Sequence, residues 1–200
     1  METIDALETL QALYGAPAPR AVGKVRTRIT PSYHRWLAQA RFCVLTTVGP
    51  EGTDASPRGD AGPVVRIVDD RTLQLPDWRG NDRIDSLRNI VVDGRVSLLF
   101  MIHGCDNVVR VNGRAVVTAD AAVTGTFEQG GRHPRTVVVI RVQEVYFQCA
   151  KALMRSALWD ASTAGRELPT AGDFVQEADP AFDGAAYDAG YAEYARPRLW

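Results

Sequence analysis

Arg41-Phe42-Cys43-Val44-Leu45-Thr46-Thr47-Val48, then Gly49-Pro50-Glu51-Gly52, then Thr53-Asp54-Ala55-Ser56-Pro57, is the stretch on which the fold turns. The first run is β-branched and apolar, as a strand requires. Gly-Pro-Glu-Gly is a strong turn, so the two flanking runs read as a hairpin with antiparallel partners. Further strands are expected over residues 64–68 and 72–75 across the turn Asp69-Asp70-Arg71, then over 95–101, 107–118 and 135–147. One helix interrupts them, from Asn81 to Val92, and Asp93-Gly94 ends it. Strands and helices do not alternate, so a parallel α/β sheet is excluded. Six or seven antiparallel strands must protect their edges, and a closed or split barrel does so.

Helices flank this β-rich middle. Ile4, Leu7, Leu10, Gln11 and Leu13 give a short amphipathic helix ended by Pro17 and Pro19. Thr30 as N-cap and Pro31 at the first position start another, whose face of Tyr33, Trp36, Leu37 and Ala40 should cover the sheet. Gln148 to Trp159 reads as a terminal helix, with Ala150, Leu153, Ala157 and Leu158 available for packing. Residues 160–181 lack periodicity and read as a connector, and beyond them Tyr187, Tyr191 and Tyr194 form an aromatic stripe if that segment is helical. The expected organisation is N-terminal helices packing on the barrel over 1–40, a barrel domain with its terminal helix over 41–160, and an acidic extension over 161–200.

Composition narrows the function. The 200 residues are 46% hydrophobic, with no run of 18 apolar ones, so a sizeable core is expected and a membrane span is not. Acids near Met1 replace the basic and apolar regions of a secretory signal, which makes the cytoplasm the expected compartment. Cys43, Cys105 and Cys149 are too few and too scattered for a disulfide framework, and His34, His103 and His133 show no metal-ligand spacing with them. Cys149, at a helix start, could be a reactive thiol, but burial is the expectation. The net charge of −1 conceals sixteen acids against twenty basic residues up to 159 and eight acids against three arginines after it. The basic residues are interspersed with acids rather than gathered in a stripe, which argues against nucleic acid as a partner.

The chemistry concentrates in Leu75-Pro76-Asp77-Trp78-Arg79-Gly80-Asn81-Asp82-Arg83-Ile84-Asp85-Ser86-Leu87-Arg88. A strand breaking at Pro76 would deliver three arginines to a new helix, whose N-terminus offers unsatisfied N–H groups and about half a positive charge. With Ile84, Leu87 and Val91 as the buried stripe, Arg83 and Arg88 are left to a ligand or to solvent. A phosphate suits that arrangement; a helix capped by Asn81 or Asp82, with its arginines in water, is the alternative. Lys151 and Arg155, four apart on the terminal helix, either flank an anion or form a solvated face. Trp159 either stacks on a planar ligand or plugs a hydrophobic gap; Trp78 reads as a loop anchor and Asp60 as an arginine partner or cap.

Taken in order, Phe42 to Val48, Gly49 to Gly52, Ser56-Pro57-Arg58-Gly59-Asp60, Asn81-Asp82-Arg83-Ile84, Arg110-Val111-Asn112-Gly113 and Val145 to Trp159 resemble the pyridoxamine 5′-phosphate oxidase-like FMN-binding split barrels, specifically their probable FMN-dependent branch. The resemblance covers residues 7–160. It implies a split antiparallel β-barrel and a homodimer holding two FMN molecules at the subunit interface. Arg58 matches the second-strand arginine that approaches the cofactor, Asn81 and Arg83 match the phosphate-holding positions, and Arg110 borders the site. Asp77, Trp78 and Arg79 accompany them as candidate cofactor contacts, and the partner's terminal helix would bring Lys151, Arg155, Ser156 and Trp159.

Two departures stand out. Asp82 replaces an expected basic residue, and Gly59-Asp60-Ala61 replaces an apolar run ending in lysine. The oxidase's C-terminal motif has no convincing counterpart in Tyr194 to Trp200, so pyridoxamine phosphate is not the expected substrate. The expected activity is that of an FMN-dependent oxidoreductase passing hydride or electrons between a reductant and a small organic substrate. Flavin carries its own redox chemistry, so no catalytic base is singled out. A deazaflavin-dependent reductase, or a flavin- or haem-binding protein without turnover, is the competing expectation.

Overall fold

The computed structural model describes residues 1–163 and 168–200. In chain order its elements are α1 (Leu7–Tyr14), α2 (Pro19–Gly23), α3 (Pro31–Leu37), β1 (Phe42–Gly49), β2 (Gly52–Gly59), β3 (Arg66–Asp69), β4 (Thr72–Asp77), α4 (Asp85–Val92), β5 (Arg95–Met101), β6 (Val108–Thr118), α5 (Ala121–Thr124), β7 (Thr136–Gln148), α6 (Lys151–Ser156), α7 (Ala171–Ala178) and α8 (Gly184–Ala195). The strands form one sheet in the order β2-β1-β5-β6-β7-β4-β3, and every neighbouring pair is antiparallel. Laid flat, β2 and β4 would lie five strand spacings apart, about 24 Å. Instead Arg58 on β2 and Asp77 on β4 form an ion pair at 2.5 Å, so the sheet curls until its ends meet through side chains. The edge strands β2 and β3 do not pair with each other, which leaves the barrel split.

Period-2 alternation decides what fills it. On β5, Val96, Leu98 and Phe100 are buried while Ser97, Leu99 and Met101 point outward. Cys43, Leu45, Leu73, Leu75, Val111 and Ile140 join them inside. Helix α3 covers this interior as its apolar face requires: Leu37 at its end and Ala40 just beyond it are fully buried, with Tyr33 and Trp36 packed beside them. Pro31 occupies the first turn as expected, but the Thr30 side chain makes no capping bond. The Leu7, Leu10 and Leu13 side chains of α1 are exposed in the single chain.

Gly113 marks the bulge at which β6 and β7 shift register, and a Cβ there would stand 2.2 Å from the Arg141 carbonyl oxygen. The obstacle is backbone, which no rotamer change relieves. Gly113→Ala is therefore expected to cost about 2–3 kcal/mol, in the range of overpacked cores, as read by urea unfolding.

Five expectations are corrected. The fourth strand does not break at Pro76; β4 runs on to Asp77, with Pro76 opposite Val137. Proline is tolerated because β3 pairs with β4 no further than Gln74, so Pro76 faces no strand on that side. Helix α4 begins at Asp85 rather than Asn81, because Asp82 and Ile84 take left-handed conformations at φ 56° and 54°. Its buried face is Ser86 and Ile90, with Leu87 half-buried against the core as expected, while Ile84 and Val91 are exposed. Hydrogen bonds turn the helix that way: Ser86 Oγ donates to Asp54, and Asn89 Nδ2 donates to Thr47 Oγ1 at 3.0 Å. Residues 160–181 are not all connector, since α7 is nucleated by a capping box in which Thr170 and Asp173 each accept the other's backbone N–H. Helices α7 and α8 then pack closely enough that a Cβ on Gly172 would stand 2.2 Å from the Gly184 carbonyl oxygen. Finally, Cys149 is exposed rather than buried.

Candidate functional site

At the barrel seam, β2 delivers Arg58 and the end of β4 delivers Asp77. Both side chains are about four-fifths covered, at 19% and 20% exposure. One Arg58 Nη donates to Asp77, but its Nε is buried with no hydrogen-bond partner among the described residues. A buried unsatisfied donor is unusual and costly, and it fits an acceptor supplied from outside the chain. Arg58 also lies opposite Cys43 in the β1–β2 register. Burial pushes the Cys43 thiol up to about 12 from its ordinary 9.0, with the Arg58 charge pulling weakly the other way. The folded chain thus holds this proton more tightly than the unfolded one. Its contribution to stability is complete below the unfolded value and is lost as pH rises from about 9 toward 12. Cys43→Ala should flatten that alkaline loss relative to the parent, as measured by unfolding midpoints on either side of about pH 9.

Beside this pair, Asp60 ties three segments together. It accepts from Trp78 Nε1 at 2.7 Å, from Gln129 Nε2 at 2.8 Å and from the Gly62 N–H at 3.2 Å. Trp78 is anchored as expected, and its ring meets the edge of Trp200 with centroids 5.5 Å apart. Arg132 fixes that terminus by donating to the carbonyls of Pro197 and Trp200 at 3.1 and 2.8 Å. Asp60 is thus a cap for ring, amide and backbone rather than an arginine partner. Gln129 and Trp200 were not legible as members of this cluster, since neither lies in a motif and their contacts span 69 and 122 residues of sequence.

The loop after β4 presents the other cations. Asn81 Oδ1 accepts the Arg83 N–H at 3.1 Å, Arg83 Nε pairs with Asp85 at 2.9 Å, and Asp82 faces Arg135 at 3.6 Å. Arg79 is exposed and has no charged partner among the described residues. Asp85 in the first turn of α4 already answers the helix dipole, so the expected anion cradle on that helix gives way to a loop of side-chain donors.

The remaining candidates lie elsewhere. Arg110 on β6 points to the outer face, where its Nη1 donates to Tyr146 at 3.2 Å, whereas Arg58 points inward with Cys43 and Phe100. Strand alternation therefore puts Arg58 and Arg110 on opposite faces of the sheet, and a single chain does not gather them into one cavity. On α6, Lys151 and Arg155 are exposed without ionic partners among the described residues, and Ser156 Oγ bonds back to Leu153 at 3.0 Å. Trp159 Nε1 donates to the Cys105 carbonyl at 3.1 Å, and its ring meets His103 at 5.3 Å. Among the described residues there is no cluster of three potential metal ligands, and no helix is long and apolar enough to cross a membrane.

A family model described as pyridoxamine 5′-phosphate oxidase matches residues 29–149, from the entry to α3 through the end of β7. The chain belongs to the pyridoxamine 5′-phosphate oxidase family. Among solved structures it is similar to a HupZ variant from Group A Streptococcus at 18% identity, with 60% of this chain and 99% of that one covered and a TM-score of 0.50. It is also similar to the General Stress Protein 26 of Bacillus anthracis (16% identity, 57% and 88% covered, TM-score 0.44). A third is the FAD binding protein of Mycobacterium smegmatis (14% identity, 62% and 97% covered, TM-score 0.41). No curated protein sequence matches. The family segment contains both sides of the seam, Arg58 and Asp77, together with Arg83 and Arg110.

Proposed function

We propose that this oxidase-family chain binds FMN at the interface of a homodimer and is an FMN-dependent oxidoreductase acting on a small organic substrate. The observation that carries the reading is the buried, unpartnered Nε of Arg58 in the family-matched barrel. Arg58, Arg79 and Arg83 would hold the phosphate, with Asn81 ordering the loop through its bond to the Arg83 N–H. Arg83 can turn to a phosphate at little cost, because its exposed pair with Asp85 is worth roughly 0–1 kcal/mol. Arg58 can use its spare donor without abandoning Asp77. Bound FMN supplies hydride and one-electron chemistry; the chain binds it, orients it and limits water around it.

The outer sheet face supports the dimer. Pro57, Val44, Leu99 and Arg110 lie in one cross-strand row, with Phe42 and Met101 in the next. Alternation on a solvated antiparallel face would put polar residues there, and an apolar row instead suits a second copy. That copy would bring Arg110 and the terminal helix, with Lys151, Arg155 and Ser156, toward a shared site. Arg83→Ala should weaken FMN binding by about 1.5–3 kcal/mol, the scale of a charge-assisted hydrogen bond, with the melting temperature unchanged. Fluorescence titration of FMN reads this directly, and an unaltered dissociation constant would remove Arg83 from the clamp.

A further inference from the structure

We infer that a second, separate site lies in the groove between the α2–α3 segment and the β6–β7 end of the barrel, and that it takes an aromatic ring carrying a carboxylate or phosphate. The groove has a volume of about 460 Å³, within the range of small-molecule sites. Its walls include Lys24, Arg26, Tyr33, Trp36, Asn107 and Phe147, and among the described residues neither an aspartate nor a glutamate lines it. Lys24 Nζ sits 4.6 Å over the Phe147 ring and has no carboxylate partner among the described residues. Among the described residues, the Arg26 guanidinium donates only to backbone carbonyls, those of Gly23 and Val25. Two cations without counter-ions among the described residues and three aromatic rings in one concave surface match an aromatic anion in both charge and shape.

The groove is also preformed. Arg26 and Val145 exchange both backbone hydrogen bonds, at 3.0 and 2.8 Å, which fastens the loop before α3 to β7. Tyr33 Oη accepts the Phe147 N–H at 3.1 Å and donates to the Lys24 carbonyl at 3.4 Å, so one hydroxyl locks helix, loop and strand. Rigid walls reduce the ordering a ligand must impose. None of the arginines assigned to the flavin phosphate lines this groove, so the site stands whether or not the flavin reading does.

The probe is 2-naphthoate, with its neutral amide and inorganic phosphate as controls, titrated into the full-length protein and followed by tryptophan fluorescence and calorimetry. Saturable binding of 2-naphthoate is expected, with the amide and phosphate each at least about tenfold weaker, since each lacks one of the two recognised features. Lys24→Gln, which keeps the side-chain stem, should weaken naphthoate about tenfold, while Arg83→Ala, which leaves the fold intact, should leave naphthoate binding unchanged. A naphthoate affinity that is insensitive to Lys24→Gln, equal to that of the amide, or lost in Arg83→Ala overturns the inference. Failure of FMN to bind while naphthoate binds as expected would instead count against the flavin reading alone.

Discussion

Arg58→Ala should lower FMN affinity about a hundredfold and destabilise the fold by about 2–3 kcal/mol in the same molecule. Both effects come from one guanidinium. Removing it leaves Asp77 as an uncompensated carboxylate that is only one-fifth exposed, and it cuts the ion pair by which β2 meets β4 across the split. The pair is not fully buried, so the stability loss should fall below the 3–5 kcal/mol of a wholly desolvated pair. Arg58→Lys separates the two roles: a lysine can still neutralise Asp77 but lacks the planar fork that serves Asp77 and a second acceptor together. The lysine variant should therefore recover most of the stability and little of the flavin affinity. Chemical denaturation and flavin fluorescence titration measure the two quantities independently.

Asp60→Ala should cost about 3 kcal/mol, the other large effect. Its carboxylate accepts from the Trp78 indole, the Gln129 amide and the Gly62 backbone, and bonds to a charged acceptor are worth about 1.5–3 kcal/mol each before their non-additivity is counted. Trp78 would lose its anchor, and with it the surface on which Trp200 rests. Thermal unfolding reads the loss. Asp60→Asn keeps one acceptor oxygen and should fall between the parent and the alanine variant.

The barrel was legible in the sequence because its strands are coded by local composition. The residue runs over 95–101 and 107–118 needed no tertiary information, and the observed strands Arg95–Met101 and Val108–Thr118 follow them closely. The start of α4 was not legible. Apolar spacing favoured Ile84, Leu87 and Val91, but Ser86 and Asn89 find partners on the β1–β2 hairpin and rotate the helix toward them. Helix α7 was missed although Thr170 and Asp173 stand at capping-box spacing, because its aromatic and aliphatic residues, Phe174 and Val175, are too few to show a period. In the site, Arg58, Asp77 and Trp78 were named from the sequence and meet at one seam. That Arg58 and Arg110 occupy opposite faces follows from strand parity, which becomes decisive only once the register is known.

The most direct measurement is the mass and flavin content of the purified protein in one sedimentation experiment, monitored at protein and flavin wavelengths after FMN is added. The account predicts a dimer of about twice 21.9 kDa carrying two FMN molecules, with flavin absorbance travelling with the dimer alone. Flavin that sediments with a monomer, or that never travels with the protein, would contradict it.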